Sequence, residues 1–285
     1  MIDAKVLALT TAITFGIVPV FIKMAFGRGG QTATGLMLAL AFSAIVNFAL
    51  ALVIDPHWEL LTPTAFAAFV VGGLAGNAIG RRWSFMSVDL LGASRSSALR
   101  GSSPVITTLL AMVLYAEQVS VFQWAAILAI VVGGMLVNWN PRADRRQWVS
   151  MGVLYALAAA ISYGIRPLIL KYGLNIADIP LAAACIGAVA ALVYTLLRED
   201  RAQLLATRID AAFKFWVLSG VLGAVGLVSL TFALAQGDVS VVYPLTSSAP
   251  LFTVAFTALL LRGVEQITVR LVAGTVLVVG GVVYL

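Results

Sequence analysis

The chain has 285 residues, 61% of them hydrophobic and only 11% charged, with a mean hydropathy of +1.03. That much apolar surface cannot be hidden in one water-soluble core, so the composition excludes an ordinary soluble domain and makes the bilayer the solvent. The formal charge of +6 lies mostly in short connections between apolar runs, with no aromatic-interleaved basic tracts, which argues against nucleic acid as a partner.

Ten apolar runs of spanning length follow one another, at roughly 4–24, 32–54, 64–88, 93–116, 121–139, 147–170, 180–197, 213–235, 240–261 and 268–285. None shows the alternation of a membrane barrel, so an all-α integral membrane protein is predicted. The N-terminus carries no A-x-A-like cleavage signal and reads as a retained first span. In the first span Gly16, Pro19 and Lys23 stand in a row, and Gly164, Pro167 and Lys171 repeat them 148 residues later. Pro104 and Pro250 match at 146, Glu117 and Glu265 at 148 within AEQVS and VEQIT, and Gly133 and Gly281 close the series. The domains predicted from this repeat are 1–146 and 147–285. Five spans per half is an odd number, so the halves should enter the membrane in opposite senses, as two inverted repeats around a central cavity.

Connections after the odd-numbered spans collect eleven basic residues, from Lys23 and Arg28 to Arg262 and Arg270, against Lys5 and Lys171 on the other face. That asymmetry predicts an inner-membrane protein with both termini external. The third span carries Gly72, Gly76 and Gly80, the eighth Gly220, Gly223 and Gly226, and both rows predict close backbone packing. Trp58, Trp124, Trp139, Trp148 and Trp216 near span ends read as interfacial anchors.

Two proline-broken stretches organise the chain: Ser94–Thr108, reading SRSSALRGSSPVITT, and Val239–Phe256, reading VSVVYPLTSSAPLFTVAF. Paired interruptions of spanning segments point to a transporter's binding site. Arg81, Arg82 and Arg100 lie roughly 10 Å inside the membrane, counted at 1.5 Å per residue. No carboxylate of the central spans sits at their level, Asp89 being near a helix end, so these cations should face water or an anionic ligand. Arg166, between Gly164 and Pro167, is read two ways: lining the cavity, or reaching outward to lipid headgroups. Ser102, Ser103, Ser247 and Ser248 offer hydroxyls, and Trp83, Tyr163 and Tyr243 could wall a site. Gly16, Pro19, Pro104, Gly164, Pro167, Pro244 and Pro250 are the candidate hinges.

Lone Cys185 and lone His57 cannot build a structural metal site. There is no Walker loop, G-x-S-x-G or hydrolytic constellation, so neither an enzyme nor a cofactor is expected. No central carboxylate or histidine is placed to relay protons.

The segments SSPVITTLLAMVLYAEQVS and SSAPLFTVAFTALLLRGVEQIT, with Gly16-x-x-Pro19 and Gly164-x-x-Pro167, resemble the drug/metabolite transporter superfamily, in particular its EamA-like ten-helix members. The resemblance implies a basket-like bundle whose cavity is lined by spans 1, 3, 4, 6, 8 and 9. It also implies export of amino acids, nucleosides or other small metabolites. Small multidrug-resistance relatives couple protons through a carboxylate in their first helix, and this chain has none there. The expectation is thus a secondary transporter, an exporter of a small polar metabolite such as an amino acid or organic anion, working by alternating access. Its partners would be a small-molecule substrate and the lipid bilayer, the chain acting as a monomer with the oligomeric state left open. A lipid or lipid-phosphate flippase using the same arginines is the alternative, and a receptor or scaffold subunit is a third class.

Overall fold

The computed structural model describes residues 3–29, 32–54, 57–91, 99–137, 151–198, 211–260 and 269–285, and among them every regular element is a helix. In hydrocarbon each backbone N–H and C=O needs a partner within the chain, and long runs of Ala, Leu and Val meet that need as helices. The first two are α1 (Ala4–Phe26) and α2 (Thr32–Val53). Thr62 then caps α3 (Pro63–Gly73), its Oγ1 accepting from Ala65 N at 3.2 Å, with Pro63 at the position that needs no N–H. α3 runs through a π-helical stretch, Leu74–Gly80, into α4 (Arg81–Leu91). There follow α5 (Ser103–Tyr115), α6 (Val121–Val137), α7 (Met151–Ile176), α8 (Pro180–Arg198) and α9 (Phe213–Gln236). The last three are α10 (Val239–Thr246), α11 (Ala249–Leu260) and α12 (Val269–Tyr284).

Six of these described segments are long and apolar enough to cross a membrane: parts of α1 and α2, the α3–π–α4 rod, α7, α8 and α9. α5 and the apolar parts of α6 and α12 are shorter. Val113 at 80%, Phe122 at 69% and Val283 at 81% exposure show that the outward faces are apolar, which suits lipid and not water. The chain is a multi-pass membrane protein.

The most extensive pairings join the first half of the chain to the second. α1 packs on α9 and α11, α2 on α8 and α9, the α3–π–α4 rod on α7 and α8, α5 on α7 and α10, and α6 on α12. The core therefore lies between the halves, where Phe69 of α3, Leu170 of α7 and Leu230 and Leu234 of α9 are almost wholly buried.

Close approach is made by glycine, at matched places. A Cβ on Gly133 would meet Gly274 O at 2.6 Å, and one on Gly281 would meet Ala126 O at 2.6 Å, so α6 and α12 each lay a bare glycine on the other's backbone. Thr253 Oγ1 donates to Gly16 O at 2.8 Å, and Thr107 Oγ1 to Gly164 O at 2.8 Å, each bond joining one half to the other. Gly220 and Gly226 meet α2 and α1, whereas a Cβ on Gly223 meets nothing within 4 Å. Gly281→Ala should therefore lower the thermal midpoint through overpacking of about 1–3 kcal/mol. Gly280→Ala, beside it but with open space around it, should leave the midpoint unchanged; thermal unfolding in detergent reads both.

Trp216 departs from the interfacial expectation. It is 4% exposed and packs over Gly35 in a cluster with Ala25 and Phe215, because the missing side chain at Gly35 leaves a seat for its indole. Trp58 and Trp124 are partly exposed. Trp139 and Trp148 lie outside the described residues, as do Arg95, Arg142, Arg145, Arg146, Arg262 and Glu265.

Candidate functional site

The site starts from an irregularity in the third membrane segment. Its π-helical stretch widens one turn, and π turns inside α-helices are frequent at functional positions. Here Ala75 O accepts from Ser162 Oγ at 2.6 Å, tying the widened turn to α7. The glycine row faces α7 antiparallel, Gly72 on Leu170, Gly76 on Arg166, and Gly80 on Ser162 and Tyr163. The stem of Arg166 lies directly on bare Gly76, and a Cβ there would collide with its Cδ.

Arg166 is 8% exposed and its Nε has no hydrogen-bond partner among the described residues. It therefore points into the bundle, and the outward-reaching alternative from the sequence does not hold. Its electrostatic neighbours are Tyr243, Arg81 and Tyr163, with no carboxylate among them. Arg81, at the start of α4, is half-buried and has Tyr163 as its neighbour. Tyr243 of α10 places its hydroxyl 3.4 Å from Ser103 Oγ of α5, and its ring lies within electrostatic range of Arg166, Tyr163 and Arg100. Four membrane segments, two from each half, thus converge on one positively charged cluster. An uncompensated cation at membrane depth is costly unless water or an anion meets it.

Other predicted site residues fall differently. Arg82 is exposed, one position round the helix from Arg81, and Trp83 is partly exposed. Arg100 ends a helical turn at Leu99–Arg100, partly buried, just before the Gly101–Ser102 turn that opens α5. Ser102 Oγ donates to Leu99 O, Ser247 Oγ to Tyr243 O and Ser248 Oγ to Leu245 O, at 2.7–2.9 Å. Those three hydroxyls spend their protons on their own helices, so they present lone pairs to a ligand and not donors.

The prolines divide into two kinds. Pro104 and Pro250 stand at the second position of α5 and α11, just past breaks at Gly101–Ser102 and Ser247–Ser248, and Pro244 lies inside α10 ahead of the second break. Pro19 and Pro167 lie inside the unbroken helices α1 and α7, three residues after the glycines whose carbonyls accept the threonine bonds. A helix proline removes one ladder bond, and a facing threonine at Gly16 and Gly164 ties each loosened turn to its neighbour.

Two charges clamp one end of the bundle, and of these the sequence reading missed Lys171. Glu117 accepts from Val239 N at 2.9 Å and Ser240 N at 2.8 Å, capping α10 from another segment. Lys171 Nζ donates to Leu234 O at 2.7 Å and Gly237 O at 3.1 Å, capping the end of α9. Each charge meets the helix end its sign suits. Glu117→Ala should cost about 1–2 kcal/mol, as loss of an N-cap does, read as a lowered thermal midpoint. The duplicated AEQVS/VEQIT was the available signal for Glu117; nothing in the linear chain announced Lys171.

The fold defines a class first: a multi-pass α-helical membrane protein whose helices break beside a buried cation. Within that class the chain belongs to the EamA-like transporter family, whose model matches residues 4–139 and again residues 150–285. The two matches are two copies of one repeat. An uncharacterized protein of Methanocaldococcus jannaschii is 38% identical over 69 residues, 24% of this chain and 49% of the relative, so the match spans about half that relative's length. A crystal structure of another protein superposes with a TM-score of 0.78 over 99% of this chain and 95% of its own, at 17% identity, a likeness of fold alone.

Proposed function

We propose that the protein is an inner-membrane secondary transporter that moves a small polar metabolite, an organic anion or an amino acid, outward by alternating access. One observation carries the reading: Arg166 is buried between the halves of the chain without a hydrogen-bond partner for its Nε among the described residues. A solute whose negative group meets Arg166 and Arg81 removes the cost of those charges, with Tyr163, Tyr243 and Ser103 around it. The anionic group is the part of the cargo recognised.

The full architecture in this proposal is ten spans, divided into repeats 1–146 and 147–285 and inverted about an axis in the membrane plane, with both termini external. Its support is the pairing of helices. Exchanging each helix for its counterpart 146 to 148 residues away maps α6–α12 onto itself, α1–α9 onto the α3–π–α4 rod on α7, and the Thr253–Gly16 bond onto Thr107–Gly164. An inverted pair of halves about a shared site is the design that lets one half rock against the other. The breaks at Gly101–Ser102 and Ser247–Ser248 flank the site and serve as its hinges. A flippase should bring its headgroup arginines to a lateral opening, and Arg166 instead lies under Gly76 inside the bundle.

Purified protein in liposomes, preloaded in turn with dicarboxylates, phosphate monoesters and amino acids, should exchange at least one of them against external label. Exchange equal to that of protein-free liposomes for every class would overturn the transport reading.

A further inference from the structure

We propose that the cluster around Arg166 selects anions that carry no ammonium group, so that dicarboxylates and phosphate monoesters are cargo and their amino-bearing twins are rejected. The inference rests on the transport reading and narrows the substrate of that same site.

A zwitterion needs two complementary poles. The positive pole for its carboxylate is here: Arg166 and Arg81 are electrostatic neighbours, with Tyr163 and Tyr243 beside them. Among the described residues a negative pole is missing: no carboxylate is a neighbour of Arg166 or of Arg81. The described acidic groups around a membrane-embedded cation, Asp238, Glu117 and Asp178, surround Lys171 at the end of the bundle. There Glu117 is already committed to two backbone N–H groups. Ala75 O, beside the widened turn, takes the Ser162 hydroxyl. An ammonium on the substrate would therefore lie near two guanidiniums with no carboxylate partner among the described residues. Like charges brought together out of bulk water repel strongly enough for about tenfold discrimination or more.

The repeat shows that this charge is not a requirement of the fold. The position 148 residues before Arg166 is Val18, and the one before Tyr163 is Phe15, both partly buried in α1. The fold accepts apolar residues at those sites in its first half. Arginine and tyrosine at those two places are thus additions of the second half, joined in the cluster by Arg81 from the first. Such a cluster meets the negative end of a solute with charge, and a second, positive end only with the uncharged lone pairs of serines.

The test compares matched pairs on the purified full chain: succinate with aspartate, glutarate with glutamate, and propyl phosphate with phosphoethanolamine. Binding is read by the rise in thermal midpoint with concentration, and flux by exchange in liposomes. In every pair that binds, the ammonium-free member should bind at least tenfold more tightly and exchange faster. In Arg166→Gln, if folded, that ratio should fall toward one, and in Arg166→Lys it should be partly kept. An amino-bearing twin that binds as tightly as its partner, in the protein with Arg166 intact, would overturn the inference while leaving transport in place. Exchange of none of these compounds and of no amino acid would overturn the transport reading, and this inference with it.

Discussion

Arg166→Met should sharply impair transport while leaving the protein as stable as before, or more so. The two effects have opposite signs because they come from the same cause. Arg166 sits 8% exposed with its Nε unpartnered among the described residues, so in the empty protein its charge is a burden. Methionine keeps a flexible stem for the bare surface of Gly76 and removes that burden, as apolar replacements of buried charges often do. In the loaded protein the same guanidinium meets the anion, and losing one partner of a buried charge pair costs about 2–5 kcal/mol. At 1.36 kcal/mol per factor of ten, the transport kcat/KM should fall by about thirtyfold at the least. A melting curve and a liposome exchange assay on one preparation read both numbers. A lower midpoint with unimpaired exchange would mean that Arg166 holds the fold and not the cargo.

Gly73→Leu should have the largest effect on stability. At this crossing a Cβ on Gly73 would run into the backbone of Gly187, so α3 and α8 touch main chain to main chain. Side chains can turn aside from an intruder; a helix backbone cannot move without its neighbours. The collision recruits Phe69, wholly buried one turn earlier on α3. The cost should reach about 3 kcal/mol, the upper end for overpacked cores, with loss of monodisperse protein in detergent. Gly223→Leu, at a glycine where a Cβ meets nothing within 4 Å, is the matched control and should purify normally.

Some of this was readable in the chain alone. Apolar runs without the alternation of a barrel announce membrane helices, because only helices and closed barrels satisfy the backbone in lipid. Gly16, Pro19 and Lys23 followed by Gly164, Pro167 and Lys171 announced the duplication that the family match then shows. The direction of Arg166 was not readable, since a residue on an apolar helix points wherever the neighbouring helix leaves space. That space comes from Gly76 on a different segment. The third membrane segment read as a plain glycine-rich packing face, because a π turn has no composition of its own. Trp216 looked like an interfacial anchor for the same reason that Arg166 looked ambiguous: position along a span says nothing about the side of the helix. Gly35 settles it. The serines of both broken stretches carried a double meaning, and three of them turn their hydroxyls onto their own helices.

The central claim is that the ground between Ser103, Tyr243 and Arg166 is a wet, positively charged site open to each side of the membrane in turn. Cys185 is buried and is the chain's one cysteine, so a Cys185→Ala, Ser103→Cys protein carries a single thiol 3.4 Å from where Tyr243 now reaches, if the geometry is kept. In sealed liposomes of known orientation, a membrane-impermeant anionic thiol reagent should modify it from either face. It should react faster than a cationic reagent of the same size, and be slowed by a transported anion. A thiol inert from both faces, in protein that still exchanges solute, would contradict the account.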